Sequence, residues 1–527
     1  MRRKLGTFGC LLLMVGSACF AGAASASQSR EQHQRPGALT EAQSALRRAQ
    51  HLFHPERSHL RSTGPTGHAS REATVVLRDL AFEMDELPAP DQRTARRILA
   101  RPTDGAADPD ENGYRVGAEV TCSEHLCFHW VASTEDAPPP ADLDADGVPD
   151  WVETNMTVFE NVYGRIVNEF GYRPPLTDES SPDHGPDGRL DIYLAELGAD
   201  HLYGYCTTDD PAVVARSDVS TYCVMDDDFD PLQYGGRDAR KSLRVTAAHE
   251  FFHAVQAAYD LGEDTWMLEG TATWMEDEVY DSVNDNRQYF PDSPLVLPHV
   301  PVDYAPEGYG YGSWVFWRFL CEYFGDRSVV RRIWERADAG PTGRDEYSIE
   351  AVRKFTAARG TSFTRTFADF GAVNRLAKRW YDEGGSYPQA PVAATLTLTR
   401  ATPGTGWRYA ALDHLTSIHV KLRPGQSLTG RWRLAVALDL PRTFRGSAAT
   451  VAVHRKDGSV RWVDVRLSSS GDARVTLPFT RSAIGYVVLT MTNASTRYAC
   501  WYGASISCSG IPKDDGLKHW FRARAVR

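Results

Sequence analysis

Near residue 390 the hydrophobic rhythm of this chain changes, and that change limits the folds open to it. Upstream, apolar residues recur at helical spacing. Val152, Met156, Phe159, Val162, Ile166 and Phe170 share one face of an expected helix over 151–172, and further helices are expected over 242–259, 266–279 and 311–324. Short apolar runs at 190–194, 202–206 and 222–225 read as strands between them. Downstream, the runs at 395–399, 418–422, 432–438, 451–454, 460–467, 473–477 and 486–492 alternate or are rich in β-branched residues, with Gly, Pro, Ser and Asp between them. A helix cannot serve a period of two without turning apolar side chains to water. The pattern therefore predicts an α+β fold: a mixed sheet with helices packed on it over 111–389, then an all-β sandwich over 390–527.

The first 110 residues read differently. Arg2, Arg3 and Lys4 precede a short apolar core at Leu11-Leu12-Leu13-Met14-Val15, and Ala24-Ser25-Ala26 supplies a small-residue cleavage site. This is the pattern of a secretory signal peptide over 1–26. The apolar core is too short to span a bilayer and no later run is longer, so a secreted, extracellular chain without stable membrane insertion is expected. Residues 27–110 are charged and broken, with helical patches at 41–53 and 73–100. They read as an N-terminal arm or as the pro-segment of a zymogen. Seven cysteines follow residue 26, and proximity suggests the bridges Cys122–Cys127, Cys206–Cys223 and Cys500–Cys508, with Cys321 left over. His125 and His129, beside the first pair, leave a metal knuckle as the other reading of that stretch. With 69 acidic residues against 58 basic ones and no basic stripe, nucleic acid is not an expected partner. No feature specifies an oligomeric state.

The stretch that carries chemistry is His249-Glu250-Phe251-Phe252-His253. On a helix, positions i and i+4 share a face, so both imidazoles can point at one ion, and Glu250 can hold a water on it. Zinc peptidases hold Zn2+ in this way. A catalytic zinc takes three protein ligands and keeps a fourth position open. Gln256 and Tyr259 stand where one class of such enzymes places a glycine and a third histidine, which excludes that class. The next helix offers Glu269 as third ligand, in Trp266-Met-Leu-Glu-Gly-Thr-Ala-Thr-Trp-Met-Glu276, with Glu276 in reserve. Gly270 and Ala272 are expected to let the two helices approach closely enough to share the ion. The bland alternative is a pair of histidines packed on an amphipathic helix.

Taken together, HEFFH and W-x-x-E-G-x-A-x-W resemble the M1-type gluzincin metallopeptidases, with Leu268 where that family carries asparagine. Over the whole chain, D-x-D-x-D-G-V-P-D, HEFFHAVQ and W-x-x-E-G-x-A-T-W-M-E resemble secreted bacterial metalloproteases of the MXAN_6640 type. The resemblance implies a zincin-like domain over 111–389 that hydrolyses peptide bonds by a zinc-activated water. Glu250 would be the general base, and His249, His253 and Glu269 the zinc ligands. It also implies a tyrosine that donates to the oxyanion. Tyr309, in Tyr309-Gly-Tyr-Gly312, matches, with Tyr311 beside it. Cys223-Val-Met-Asp-Asp-Asp228 occupies the place of the G-x-M-E-N edge strand with which M1 aminopeptidases grip a substrate amine. Its glycine and asparagine are missing, so endopeptidase action is the first reading. An aminopeptidase or other amide hydrolase is the second, and a non-catalytic extracellular binding protein on a zincin scaffold is the third.

A second cation is expected elsewhere. Asp142, Asp144, Asp146, the Val148 carbonyl, Asp150 and Glu153 fall at positions 1, 3, 5, 7, 9 and 12 of an EF-hand loop, with Gly147 at position 6. Prolines precede the loop, so only its exiting helix can form. A structural Ca2+ clip is the expectation; a solvated acidic loop is the bland reading. Asp183, Asp187 and Asp191 form a weaker second candidate, and the acidic run over 226–230 a third.

Overall fold

A computed structural model describes residues 40–53, 73–103, 113–179, 181, 184–210, 218–503 and 505–527. The expected signal segment lies outside these residues. Five strands, β1 (Glu119–Cys122), β2 (Leu126–Trp130), β3 (Leu190–Ala195), β4 (Gly204–Thr207) and β5 (Tyr222–Asp226), form a mixed sheet in the order β1-β2-β3-β5-β4. β2, β3 and β5 run parallel, and β1 and β4 are antiparallel edges. The three parallel strands are buried along their whole length. That is how strands behave when helices cover both faces.

On one face lie α1 (Glu41–Phe53), α2 (Ala73–Glu83) and α3 (Ala89–Ile98); α4 (Asp150–Tyr163) and α5 (Ala239–Asp260) cover the other. Successive residues of a strand point to opposite faces. Tyr193, Tyr205, Tyr222 and Val224 therefore meet Leu46, Phe53, Leu77, Leu80 and Ile98 of the arm. Ile192, Leu194, Cys206, Cys223 and Met225 meet Phe159, Val162, Phe251 and Phe252. The arm is thus a full layer of the fold, and charge locks it there. Arg101, 1 % exposed, donates to Asp191 at 2.6 Å and to Asp178 and Asp209 at 2.8 Å each.

Several helix boundaries differ from expectation. The helix expected over 73–100 is broken by a tight turn at Met84–Glu86 and by Pro88. The one over 151–172 ends as a wide π turn at Gly164–Glu169. After α6 (Thr265–Tyr280), the expected 311–324 helix appears as α7 (Tyr309–Gly312) and α8 (Trp314–Phe324). α9 (Val329–Ala337), α10 (Ile349–Ala358), α11 (Phe363–Asn374) and α12 (Ala377–Trp380) then lead to the C-terminal part.

That part is β-rich. β6 (Ala394–Leu398), β8 (Thr416–Pro424), β10 (Ser447–Arg455), β11 (Val460–Asp464) and β13 (Ile484–Asn493) form one sheet, in the order β11-β10-β13-β8-β6. A second sheet holds β7 (Arg408–Leu412), β9 (Arg433–Asp439), β12 (Asp472–Pro478) and β16 (Leu517–Val526). Leu422, Val451 and Leu489 of the first sheet share an apolar core with Leu434, Val436 and Phe521 of the second. β14 (Tyr498–Ala499) and β15 (Ile511–Pro512) pair alone. β7 and β16 were not expected. Their inward residues include Ala410, Ala523 and Ala525, which carry little β signal. The β-rich part docks on the helices through Asp303, which accepts from Tyr498 Oη and the Ser507 backbone and pairs with His414.

Cys122–Cys127, Cys206–Cys223 and Cys500–Cys508 are bridged as expected, and Cys321 is free and buried. His125 pairs with Glu160 and His129 with Asp191, so neither imidazole turns to the first bridge as a knuckle would require. No helix among the described residues is long and apolar enough to cross a membrane.

Candidate metal centre

Asp238 caps α5 by accepting from the Lys241 backbone N–H at 2.9 Å. The helix is buried on all sides through its middle, with Phe251 and Phe252 each 0 % exposed and wedged edge-on against Tyr163 and Tyr172. A tight turn at Leu261–Asp264 sends α6 back along it. His249 and His253, one turn apart, then face Glu269. Ligand atoms of the three lie within 4.8 Å of one another. Nε2 of His249 is 3.2 Å and Nε2 of His253 3.7 Å from Glu269 Oε2.

The other ring nitrogens are held from behind. Nδ1 of His249 is 2.7 Å from Glu276 Oε1, and Nδ1 of His253 is 2.7 Å from Gln256 Oε1. The Gln256 amide is oriented in turn, because its Nε2 donates to the Leu268 carbonyl and to Thr271 Oγ1 at 2.9 Å each. Gln256 Oε1 can therefore only accept, so His253 carries its proton on Nδ1 and aims the Nε2 lone pair at Glu269. That Nε2 and Glu269 Oε1 are buried without hydrogen-bond partners. Two imidazoles and a carboxylate with inward lone pairs are the donor set of a catalytic zinc, and the acceptors behind the rings are its usual outer shell. The residues fit the ion.

The electrostatics point the same way. Burial opposes a charge on His249, yet hydrogen bonds to Glu269 and Glu276 and the field of Glu250 raise its pKa to about 10. Burial also opposes the Glu269 carboxylate, but His253, with further help from His249, lowers it to about 2. The pocket favours positive charge between its carboxylates.

Glu250 lies 5 % exposed beside this cluster. Its Oε2 accepts from Thr74 Oγ1 of α2 at 3.1 Å, and the same hydroxyl accepts from the Cys206 backbone at 3.0 Å. A crevice of about 310 Å³ opens on Glu250 and His249, lined also by Tyr203, Gly204, Val245, Thr246 and Glu276. Along the N-terminus of α6 runs a larger groove, about 1680 Å³, between the arm, Tyr347 and the 501–509 loop.

Two expectations shift in detail. Tyr311 as well as Tyr309 comes into question: the Tyr311 ring stacks on His249 with centroids 5.8 Å apart, and Tyr309 packs edge-on against Tyr304. Gly270 does not ease the approach of α5. A Cβ there would meet Ser313 Oγ at 2.0 Å and Trp317 Nε1 at 2.7 Å, so it clears room for α8 instead. The outer-shell roles of Gln256 and Glu276 were not anticipated, although their i+3 spacing on α5 and two-turn spacing on α6 were visible.

The acidic loop brings three of its expected ligands together. Oxygens of Asp142, Asp144 and Asp146 lie within 4.8 Å of one another. Asp142 accepts from the backbones of Ala145 and Gly147, and Gly147 takes the left-handed φ of +95° that the turn needs. α4 exits at Asp150, bringing Glu153 close. Burial and the neighbouring Asp144, Asp146, Asp150 and Asp142 raise the Glu153 pKa. The weaker second candidate separates: Asp187 pairs with Arg189, while Asp191 lies in the Arg101 cluster. Asp183 lies outside the described residues. β5 is internal, with β4 as the edge, so 223–228 is not an edge-strand amine clamp.

No protein-family model and no curated protein matches this chain. Among solved structures, a β-glucosidase from Paenibacillus barengoltzii is similar at 12 % identity and TM-score 0.12, over 25 % of this chain and 12 % of that one. A family GH115 4-O-methyl-α-glucuronidase is similar at 8 % identity and TM-score 0.14, over 55 % of this chain and 45 % of that one. The chain thus spans less than half the length of either.

Proposed function

We propose that this protein is a secreted zinc-dependent endopeptidase of the gluzincin type. What carries the reading is the buried His253 Nε2, whose lone pair converges with His249 and Glu269 on one point beside Glu250. Zinc held there would supply Lewis acidity and make a water acidic near neutral pH. Glu276 and Gln256 hold the two imidazoles in the required tautomer. Thr74 ties down Glu250 Oε2, leaving Oε1 to take a proton from the attacking water and return it to the leaving amine. Tyr311 fixes the plane of the His249 ring; Tyr309 remains the family-implied oxyanion donor. A terminal amine clamp is disfavoured, since Asp226 and Asp227 are 0 and 3 % exposed. The three bridges fit an oxidising compartment.

Purified protein should carry one zinc per chain and cleave casein or a quenched peptide, with phenanthroline stopping cleavage and zinc restoring it. Protein without bound zinc, or cleavage indifferent to phenanthroline, would defeat the reading.

We further propose that Asp142, Asp144, Asp146, Val148, Asp150 and Glu153 hold a structural calcium. At a hundredfold excess over Kd, such an ion adds about 2.7 kcal/mol to stability. EGTA should lower the melting temperature, and Asp144→Asn should shrink that difference; an unchanged difference counts against the loop.

A further inference from the structure

β3 and β5 lie side by side and parallel, with Ala195 opposite Asp226. Their ends therefore deliver Glu196, Asp226 and Asp227 to one place, where one carboxylate oxygen of each lies within 4.8 Å of the others. Asp226 and Asp227 are 0 and 3 % exposed. Among the described residues, no lysine or arginine forms an ion pair with any of the three.

Local hydrogen bonds account for two of them. Asp226 accepts from the Leu197, Gly198 and Phe229 backbones at 3.0, 2.8 and 2.5 Å. Glu196 accepts from the Ala199 backbone and from Gln233 Nε2, both at 2.9 Å. Asp227 is different: its Oδ1 is buried and has no hydrogen-bond partner. The Gln233 amide, which holds Glu196 through Nε2, likewise has a buried Oε1 with no partner. A buried carboxylate oxygen without a donor is costly, and two more carboxylates beside it raise the cost.

We infer that Glu196, Asp226 and Asp227 form a further divalent-cation site, of oxygen donors suited to calcium. Hard carboxylate and amide oxygens are calcium ligands, and no imidazole or thiol stands among them. The competing account is a proton. Burial, with the fields of Asp226, Asp228 and Glu196, pushes Asp227 up to about 9, and burial pushes Asp226 up to about 7. A cation would discharge the cluster instead and pin the ends of β3 and β5. It would also act on the crevice wall, because the Asp226 backbone N–H donates to Tyr203, and Tyr203 and Gly204 line the opening beside Glu250. The site is independent of the zinc reading.

Terbium titration of the full chain carrying Asp142→Asn and Asp144→Asn tests this, with calcium-dependent melting as the second readout. Tyr203 and Tyr234, with rings 4.3 Å apart, stand near the cluster and can sensitise terbium emission. Adding Asp227→Asn should weaken terbium and calcium binding by at least about tenfold, because each lost ligand charge costs affinity. It should leave the melting temperature in EGTA no lower, since an uncompensated buried charge has gone. Glu196→Gln, at a half-buried position, provides the same comparison should Asp227→Asn fail to fold. Binding and calcium-dependent melting unchanged by whichever variant folds would overturn the site and leave a proton in its place.

Discussion

Glu250→Gln is expected to keep the fold and the zinc and to lose peptide hydrolysis by about 10²- to 10⁴-fold, the usual worth of a positioned proton acceptor. The substitution is nearly isosteric, which matters at a residue 5 % exposed and flanked by Gly204. The Gln carbonyl can still accept from Thr74, so the link between α2 and α5 survives. What disappears is the second carboxylate oxygen, the one that can take a proton. None of the three proposed ligands is touched, so zinc content and melting temperature serve as internal controls. A variant with full zinc and unchanged turnover would remove Glu250 from the chemistry. A wild-type chain with zinc but no hydrolysis would favour the non-catalytic reading.

The convergence of His249, His253 and Glu269 was legible because helical geometry joins i to i+4, and the short link after α5 left the next helix within reach. Residues that depend on side-chain direction were not. Tyr309 and Tyr311 sit in one four-residue turn, and which ring meets His249 depends on how α7 is rolled, which spacing does not encode. The Glu196–Asp226–Asp227 cluster needs the parallel pairing of β3 with β5, a contact with no local signature. The place of the arm did leave a trace. Leu126-Cys-Phe-His-Trp, Leu190-Asp-Ile-Tyr-Leu-Ala and Tyr222-Cys-Val-Met-Asp are near-continuous apolar runs, the mark of strands covered on both faces. α4 and α5 cover only one face. The other required a second layer, and α1–α3 of the 27–110 segment provide it.

That layer sets the largest stability effect expected here. Arg101→Ala should destabilise the chain by about 3–5 kcal/mol, the cost of leaving buried carboxylates without their cation. Asp178 and Asp191 are 1 and 0 % exposed, and Arg101 supplies a separate nitrogen to each. Asp191 keeps His129 at 2.8 Å, but Asp178 has no second cation among the described ion pairs. Arg101→Lys should recover only part of the loss, because one ammonium cannot reproduce the planar fork that reaches three carboxylates. Urea unfolding of the two variants against the parent measures both effects. The same cluster bears on processing. A mature chain cut near residue 110 would lose Arg101 together with the apolar cover of Tyr193, Tyr205 and Tyr222. Protein from culture supernatant should therefore retain the arm. An Arg101→Ala variant within about 1 kcal/mol of the parent falls outside the range for a broken buried pair. That result would remove Arg101 as the lock of the layer, and an N-terminus near residue 110 on soluble, active protein would show that the arm is a removable pro-segment rather than a layer of the fold.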